Sequence, residues 1–430
     1  MAAEAIAERP VPGPTGPRWR RLLEAHRDLL GYLGRMVETY GGLVCLRPGR
    51  TYLAVHPDYA RHVLQGNHLN YVKGPVFRRV IGPLIGEGLL AVDGEDWRRQ
   101  RRRAQPHFLR KEHPAYVPMV TPCVEALCTQ FDALALAGEP VNFNQLMDRL
   151  AVAANVRMMC SGDADEDVDR LVSAFVETGH SLNPVSGFLP VRLPAFVPTP
   201  KRLRFRRAVD GVDRIIYRLI DHRRRHSNGQ HDLLSGLIEH REGEGGGDRR
   251  LRDEIMTMLH AGFETVSDQL VWHFVALDAQ PHIASKVREE AVRVSAGRVP
   301  TLEELGQLAY LHRVQQEVMR LYPAAWGYFR QALADDSIDG YRIPAGALVL
   351  LVPYLTHRLP SIWSRPDEFE PDRFTPEAVA ARHEFAFFPF GAGPRHCIGG
   401  EFAALLIAMT VATVIQRFRL EVLPGQHVRA

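Results

Sequence analysis

The chain has 430 residues, of which 46% are hydrophobic and 24% charged, as in an ordinary globular protein. Its net charge is only +3, so composition gives no reason to expect nucleic acid or an anionic membrane as a partner. The five cysteines are odd in number and none forms a C-x-x-C pair, which argues against a disulfide framework or a structural zinc site and fits a reducing cytosol.

The N-terminal part of the chain predicts an arm, a helix and a hairpin. Pro and Gly are frequent up to Arg18, which favours an extended arm over residues 1–19. A helical pattern follows from Arg20 to Tyr40. The apolar runs Leu43–Leu46 and Tyr52–Val55 flank a Pro-Gly-Arg turn, which is typical of a β-hairpin.

The centre of the chain, Asp96–Arg293, has mostly helical patterns with few helix breakers. Two interruptions divide it, a Pro-rich segment at Asn183–Pro200 and a Gly-rich loop at Gly243–Gly247. We found no internal repeat in the sequence. The helical centre is too continuous to cut into separate domains.

The C-terminal part predicts a second group of strands and a final helix. The strands fall in the apolar segment Ile338–Val352, and the helix runs from about Gly400 to Arg417. We therefore predict a mainly α fold with a small β-rich lobe, in a single large domain over residues 20–430.

The strongest chemical signal surrounds Cys397, in the sequence FGAGPRHCIGG that precedes an apolar helix. Glycines allow backbone N–H groups to turn toward the sulfur. A helix that begins just after the cysteine also stabilises a thiolate with the positive end of its dipole. The alternative is a Gly-rich turn that enters a buried helix, with an inert cysteine.

This loop resembles the cysteine pattern of the cytochrome P450 family, F-x-x-G-x-R-x-C-x-G, at every defined position. The matching residues are Phe390, Gly393, Arg395, Cys397 and Gly399. The resemblance covers about 43–420 and implies the P450 fold, with heme b (iron protoporphyrin IX) whose iron is ligated by the Cys397 thiolate. It also implies that Phe390 and Gly399 pack near the haem and that Arg395 meets a propionate.

A second motif is Glu317-Val-Met-Arg320, which resembles the E-x-x-R of the family. Its i, i+3 spacing places both charges on one helix face, where they can pair. Pro371-Asp-Arg373-Phe resembles the P-x-R-F segment, so the resemblance implies a buried ion network of Glu317, Arg320 and Arg373. The alternative for Arg373 is an ordinary surface partner of Glu370.

A third motif is Ala261-Gly-Phe-Glu-Thr-Val-Ser, which we predict at the centre of a long apolar helix. Gly and Thr lower helix propensity, and an acid in an apolar stretch is costly to bury unpaired. The plain alternative is a Thr265 hydroxyl that bonds the carbonyl of Ala261. The resemblance instead assigns oxygen activation, in which Gly262 opens space for O2, Thr265 donates a hydrogen bond to it and Glu264 supplies protons, with Ala261 beside the haem.

Basic residues near the N-terminal third resemble the helix that binds the haem propionates. Trp97 and Arg101 share one helix face at i, i+4, and both side chains are donors. Arg330 resembles a further propionate partner, beside Arg395. The alternative for Arg98–Arg103 is a solvated basic face, and we expect Arg101 to point inward and the others mostly outward.

The resemblance implies a monooxygenase that converts R–H, O2, two electrons and two protons into R–OH and water. No reductase domain fits within this length, so we expect a separate ferredoxin or flavodoxin with its reductase. These partners are generally acidic, and Arg98, Arg99, Arg102, Arg103, Arg110 and Lys111 could form a docking face. Each of these could equally be a solvated surface residue.

The resemblance also places the substrate pocket in largely apolar segments. The residues we select are Thr257, Met258, Ala324, Ala325 and Trp326. They favour a bulky, mainly apolar substrate, and we expect a bacterial tailoring step on a polyketide, macrolactam or terpenoid. The first residues contain no apolar run of signal-peptide or membrane-span length, so we expect a cytoplasmic protein without a membrane anchor. We also expect a monomer.

Two other functions remain open from the sequence. One is a peroxide-driven or non-oxygenating haem-thiolate enzyme, although such enzymes tend to lose the pair that Glu264 and Thr265 form here. The other is a non-enzymatic haem sensor, for which the sequence shows no output domain.

Overall fold

A computed structural model of the protein describes residues 9–181, 199–226, 232–239, 247–426 and 428. The chain divides into two compact units. The first is Met1–Gly74 with Gln316–Cys397, and the second is Pro75–Gln315 with Ile398–Ala430. The predicted interruptions at Asn183–Pro200 and Gly243–Gly247 fall largely outside the described residues.

The described α-helices, in chain order, are α1 (Arg18–Arg27), α2 (Leu29–Tyr40), α3 (Pro57–Arg61), α4 (Gly74–Ile85), α5 (Gly94–Ala104), α6 (His113–Ala137), α7 (Phe143–Cys160), α8 (Val168–Ser181), α9 (Pro200–Arg225), α10 (Leu233–Glu239), α11 (Gly247–Ala261), α12 (Glu264–Asp278), α13 (Pro281–Ser295), α14 (Leu302–Leu305), α15 (Ala309–Leu321), α16 (Pro353–Thr356), α17 (Pro376–Ala380) and α18 (Gly400–Arg417). The strands are β1 (Leu43–Arg47), β2 (Thr51–Ala54), β3 (Tyr71–Val72), β4 (Tyr328–Ala332), β5 (Asp336–Ile338), β6 (Tyr341–Ile343) and β7 (Leu348–Leu351). This confirms the predicted mainly α fold with a small β-rich lobe.

All the described strands belong to the first unit. Five of them form one sheet in the order β1-β2-β7-β4-β3, and β5 pairs with β6 in a separate antiparallel sheet. The hairpin predicted from the Pro-Gly-Arg turn is confirmed, with Leu43 opposite Ala54. All four residues of β7, Leu348–Leu351, are buried, which explains their continuous apolar run. The sequence did not predict β4, which pairs antiparallel with β7.

The single helix predicted over Arg20–Tyr40 is wrong in one respect, because it is two helices. Asp28 lies between α1 and α2 with extended backbone, at φ −153° and ψ 90°. Its carboxylate accepts a hydrogen bond of 2.9 Å from the backbone N–H of Gly31. Asp28 therefore caps α2, and side-chain capping outweighed the continuous helical pattern.

Among its described residues the second unit contains helices and loops and no strand. Its long helix α18 is largely buried and packs against α6, α12 and α13. Among the described residues α18 is also the one helix long and apolar enough to cross a membrane, but 72% of its apolar window is buried inside the protein. The predicted range of this helix, Gly400–Arg417, is confirmed.

Candidate functional site

The cysteine loop of the first unit has a backbone conformation that requires glycine at position 393. Gly391 and Gly393 both have positive φ, 71° and 65°. A Cβ atom on Gly393 would lie 1.9 Å from the carbonyl oxygen of Leu64, which is far inside van der Waals contact. The loop is closed by a hydrogen bond of 2.9 Å from the N–H of Cys397 to the carbonyl of Phe390. Backbone geometry therefore requires the glycine at position 393.

Cys397 differs from the other cysteines because it is exposed. Cys123, Cys128 and Cys160 are buried, and Cys45 is half-buried. Burial raises the pKa of the Cys123 thiol to about 11 and that of Cys160 to about 12, so both remain protonated. Because the thiolate is the form that ligates metals, Cys397 is the cysteine best suited to a metal cofactor.

Arg320 is the centre of a buried polar network in the same unit. It is fully buried, and its Nε and one terminal nitrogen form hydrogen bonds of 2.7 and 2.8 Å to the two carboxylate oxygens of Glu317. Its remaining N–H groups reach backbone carbonyls at 2.6 to 3.0 Å, those of His357, Pro366 and Glu368. All five N–H donors of the guanidinium therefore have an acceptor.

Arg373 lies beside this pair. Its Nε is 3.5 Å from Oε1 of Glu317, and a terminal nitrogen is 3.1 Å from Oε2 of Glu370. Glu317 also accepts a hydrogen bond of 2.8 Å from the backbone N–H of Glu370. The structure thus brings together the three residues of the predicted network, and Arg373 contacts both of the partners that the sequence offered.

His357 connects the network to the segment that leads into the cysteine loop. Its backbone carbonyl accepts from Arg320, and its ring Nε2 accepts a hydrogen bond of 3.0 Å from the N–H of Phe388. Burial, with the nearby guanidinium charges, lowers the pKa of His357 to about 3, so the ring is neutral and able to accept. His357 was not predicted from the sequence, because nothing in its local pattern marks it.

In the second unit, the helix predicted through the Ala261–Ser267 motif is interrupted. α11 ends at Ala261 and α12 begins at Glu264. The N–H of Phe263 turns back to the carbonyl of His260 at 3.3 Å, so the carbonyl of Leu259 loses its helical donor. The prediction of one continuous helix here is wrong, because the break replaces a standard helical bond.

Asn155 of α7 supplies the missing donor. Its buried side-chain amide donates to the carbonyls of Met258 and Leu259, at 3.1 and 3.0 Å. A Cβ atom on Gly262 would lie 2.6 Å from the Asn155 Nδ2 atom. The glycine thus has a packing reason in addition to any role toward O2. A polar residue inside the apolar run LAVAANV was the signal available in the sequence, and it was missed.

One face of the segment that runs from Ala261 at the end of α11 through α12 is open. Ala261, Glu264, Thr265 and Asp268 are exposed, whereas Val266 and Ser267 between them are buried. The Thr265 hydroxyl donates to the carbonyl of Ala261 at 2.8 Å, which is the contact that the plain alternative predicted. The oxygen of the same hydroxyl can still accept a hydrogen bond, so this contact does not exclude a role toward a ligand.

Asp268 is a second acid on this face, one turn after Glu264. It has no hydrogen-bond or ion-pair partner among the described residues. Surrounding protein raises the pKa of Asp268 to about 6, and the charges of Glu264 and Asp148 add to the shift. An exposed but poorly solvated carboxyl is typical of a residue that lines a recess. Asp268 was not predicted from the sequence.

The residues predicted to bind propionates are spread over both units. Trp97 and Arg101 are half-buried on α5, where the Arg101 Nε also donates to Gln105 at 3.3 Å. Arg330 is buried on β4 and lies over the Tyr328 ring at 5.3 Å. Arg395 is half-buried in a short 3-10 turn, Gly393–Arg395. All four are cations or N–H donors, the chemistry that carboxylates of a cofactor need.

The predicted pocket residues have unequal exposure. The Thr257 hydroxyl donates to the Asp253 carbonyl at 2.7 Å, and its Oγ1 would meet a Cβ on Gly88 at 1.9 Å, so it is covered. Met258 is buried, Ala324 is half-buried and Ala325 is exposed. Trp326 packs against a hydrophobic cluster of the first unit. Of this set, Ala325 is the most accessible.

The predicted docking arginines are partly neutralised by neighbours. On α5, Arg98 pairs with Glu95 and Arg99 pairs with Asp96. Arg110 forms two hydrogen bonds to Glu401, at 2.5 and 3.1 Å. Arg102 is exposed and Arg103 half-buried, so the expectation that the flanking arginines point outward fits Arg98, Arg99 and Arg102 best.

Comparison with known proteins identifies the family. The family model of cytochrome P450 matches residues 10–430. Cyclooctat-9-en-7-ol 5-monooxygenase of Streptomyces melanosporofaciens is 33% identical over 97% of this chain and 89% of its own. Pentalenene oxygenase of Streptomyces avermitilis is 31% identical over the whole chain and 93% of its own. The crystal structure of the cytochrome P450DA heme domain aligns with a TM-score of 0.87 and 25% identity, over 98% of this chain and 94% of that one.

Proposed function

Because the chain belongs to the cytochrome P450 family and is a monooxygenase by that membership, we propose that it inserts one atom of O2 into a bulky, mainly apolar terpenoid. The observation that carries the proposal is Cys397, the exposed cysteine on a loop that requires glycine, in the unit that also holds the Arg320 network. A soft sulfur ligand of this kind suits haem iron.

We propose heme b as the cofactor, held through Cys397, with Trp97, Arg101, Arg330 and Arg395 as propionate partners. The donors among these residues match two carboxylates, and Phe390, Ala261 and Gly399 offer small or apolar contacts. When bound through a thiolate, haem supplies the electron-rich iron that favours O–O cleavage. The residues of the chain would bind and orient the substrate and deliver protons.

Glu264 and Thr265 are the proposed proton-delivery residues. Both are exposed on the open face of α12, beside Gly262, so both can be reached by a ligand and by water. The Thr265 hydroxyl is oriented by its bond to the Ala261 carbonyl, which leaves its oxygen lone pairs for a second partner. Glu264 can exchange protons with solvent on the same face.

The relatives support the substrate class. The two curated relatives named above are oxygenases whose names specify pentalenene and cyclooctat-9-en-7-ol, and both substrates are terpenoids. The two names specify different molecules, so identity near 30% supports a terpenoid without selecting one. The accessible and apolar character of Ala325 and the neighbouring Ala324 fits a substrate with few charges.

The proposed electron source is a separate ferredoxin or flavodoxin, in a bacterial cytoplasm. Members of the family generally use such partners, and Arg102 with Lys111 offers exposed positive charge. Lys111 is only loosely paired, at 3.7 Å from Glu112. An acidic protein is the natural complement of such a face.

The ligand assignment is tested by the carbon monoxide difference spectrum of the reduced protein. The strongly red-shifted Soret band of thiolate ligation is expected for the wild type and for the control variant Cys45→Ala, which removes a half-buried cysteine. It should vanish in Cys397→Ala. Survival of the band in Cys397→Ala, or its absence in the wild type, would remove Cys397 as the ligand.

The reaction and substrate class are tested by turnover. A panel of cyclic terpenes and terpene alcohols is compared with macrolactams and polyketides, first by Soret shift and then by product analysis. Product with ferredoxin, its reductase and NADPH is expected, with little from peroxide alone. If only peroxide supports product, the peroxide-driven alternative is correct, and if only macrolactams shift the Soret band, the terpenoid assignment is wrong.

A further inference from the structure

The helix α1 has its faces reversed relative to a normal surface helix. Trp19, Leu22 and Leu23 are 63%, 46% and 45% exposed. They share one face with His26, because these positions are spaced i, i+3, i+4 and i+7. A stripe of this kind normally faces a core. Here it faces away from the protein, and we call it the outer stripe.

The inner face fixes this orientation. Arg21 points toward the protein, and one of its terminal nitrogens donates to the carbonyls of Pro14 and Leu46, at 3.1 and 3.4 Å. Ala25, one turn later, packs against a hydrophobic cluster that includes Tyr32 and Leu33. The outer stripe therefore cannot turn inward without breaking these contacts.

Arginines flank the outer stripe on α1 and lie near it on the β1–β2 hairpin, and they have no carboxylate partners among the described residues. Arg18, Arg20 and Arg27 of α1, with Arg47 and Arg50 of the β1–β2 hairpin, form no ion pair with any described residue. Burial and repulsion from Arg50 and Arg18 lower the pKa of Arg47, so three of these charges lie close enough to repel one another. The five residues form what we call the arginine rim.

Elsewhere on the surface, arginines are commonly neutralised. Arg98 pairs with Glu95, Arg342 with Asp335 at 2.7 Å and Arg365 with Glu368 at 2.7 Å. The net charge of the whole chain is only +3, so the unpaired charge of the rim is a local feature that the overall charge conceals. An anionic partner would relieve the repulsion within the rim.

We propose that α1 docks on the surface of an anionic phospholipid bilayer, with the outer stripe in the interfacial layer and the arginine rim against the headgroups. An exposed Trp beside Leu residues, flanked by cations, is the composition of helices that lie in a membrane interface. An acidic protein would match the rim and would leave the outer stripe without an apolar partner. A helix of ten residues gives reversible attachment, which differs from a spanning anchor.

The proposal does not depend on the identity of the substrate. It predicts that the enzyme gathers where apolar molecules partition, which would raise their local concentration. From the sequence we expected no membrane partner, because the net charge is small and the first residues contain no long apolar run. Neither criterion detects a short helix with an outward apolar face.

The test is sedimentation of the full-length holoprotein with sucrose-loaded vesicles. Wild type is expected to sediment with vesicles that contain phosphatidylglycerol, much less with phosphatidylcholine alone, and less at high salt. Arg20→Gln with Arg27→Gln should weaken the partition coefficient by about 20- to 30-fold, at about fivefold for each arginine. Trp19→Ser with Leu23→Ser should lower it by more than about tenfold.

Matched controls alter exposed residues elsewhere. Leu136→Ser changes a leucine that is 90% exposed on α6, and Arg293→Gln changes an exposed arginine of α13. Both should sediment as the wild type does. A blue shift of tryptophan emission on anionic vesicles, lost in Trp19→Ser, would place Trp19 itself in the interface. All variants should keep the wild-type haem absorbance and thermal midpoint.

Two kinds of result would overturn the proposal. The first is a failure of the vesicle assay: either the wild type does not sediment with anionic vesicles at low salt, or the double variant at Trp19 and Leu23 sediments as well as the wild type. The second is a wild-type dimer in solution that becomes a monomer in that double variant, because the outer stripe would then be an interface between copies of this chain.

Discussion

Around Arg320, in the first unit, each guanidinium N–H group has an acceptor and the residue is fully buried. Along the break after Ala261, in the second unit, Glu264, Thr265 and Asp268 are exposed on one face of α12. The first arrangement fixes the charges in one geometry and leaves no guanidinium N–H group accessible for proton transfer. The second leaves acids and a hydroxyl accessible, which proton transfer requires.

The comparison teaches what each kind of polar group is suited to. A buried ion pair adds little net stability against its desolvation, but removing one partner is expensive because a buried charge remains. An exposed acid costs little to change but governs chemistry. Variants in the two regions should therefore fail in different ways, one by unfolding and the other by loss of product.

The largest effect is expected at Arg320. Arg320→Lys keeps the charge but cannot reach both oxygens of Glu317 and three carbonyls, so the free energy of unfolding should fall by about 3–5 kcal/mol. Denaturant unfolding and the yield of haem-loaded protein measure this. The control is Arg342→Lys, whose exposed pair with Asp335 should matter by less than about 1 kcal/mol. Equal effects in the two variants would show that the Arg320 network is ordinary.

The next largest effect is expected for Thr265→Ala, which should leave folding intact and divert electrons from product to peroxide. Product formed per NADPH consumed should fall by roughly ten- to a hundredfold, and peroxide formation should rise. This loss lies at or below the low end of the rate enhancement that general acid catalysis usually contributes. The control is Thr129→Ala, which removes an exposed hydroxyl that donates to the carbonyl of Glu125 at 3.1 Å. Unchanged coupling in Thr265→Ala would exclude Thr265 from proton delivery.

An intermediate effect is expected at Asn155. Its side chain is buried, as in the Arg320 network, but it stabilises the helix break that positions Glu264 and Thr265. Asn155→Leu leaves the Leu259 carbonyl without a donor, so unfolding should become easier by about 1–3 kcal/mol. Coupling should also fall a few-fold, because Thr265 and Glu264 are positioned by that break. Thr413→Val removes one buried side-chain hydrogen bond, of 2.7 Å to the Met409 carbonyl. This control should lower stability without changing coupling, and parallel losses in both variants would give Asn155 a purely structural role.

The smallest effect is a pH dependence at Asp268. Its pKa is about 6 in the folded protein against 3.8 ordinarily, so the native state binds the extra proton between these values. Stability should therefore fall as pH rises through this window. Asp268→Asn should flatten the curve of denaturant midpoint against pH, whereas Asp132→Asn, an exposed partner of Arg417, should not. Parallel curves for wild type and Asp268→Asn would contradict the raised pKa.

The sequence alone determined the family and much of the local structure. The loop before Cys397, the hairpin at Leu43–Ala54 and the range of α18 all follow from short-range patterns: glycine positions, turn residues and apolar periodicity. It also selected Glu317, Arg320 and Arg373, which the structure places in contact. These features are carried by residues near one another in the chain, or by a spacing the family repeats.

Only the tertiary structure decided the features that depend on distant partners. The break after Ala261 needs the amide of Asn155, more than a hundred residues away in the chain. The neutral state of His357 follows from burial, and so does the protonated state of the Cys123 and Cys160 thiols. The outer stripe of α1 faces away from the protein because Arg21, on the opposite face of the helix, donates hydrogen bonds to the carbonyls of Pro14 and Leu46. A local pattern states which side chains share a face, but the packing of the rest of the chain decides which way that face points.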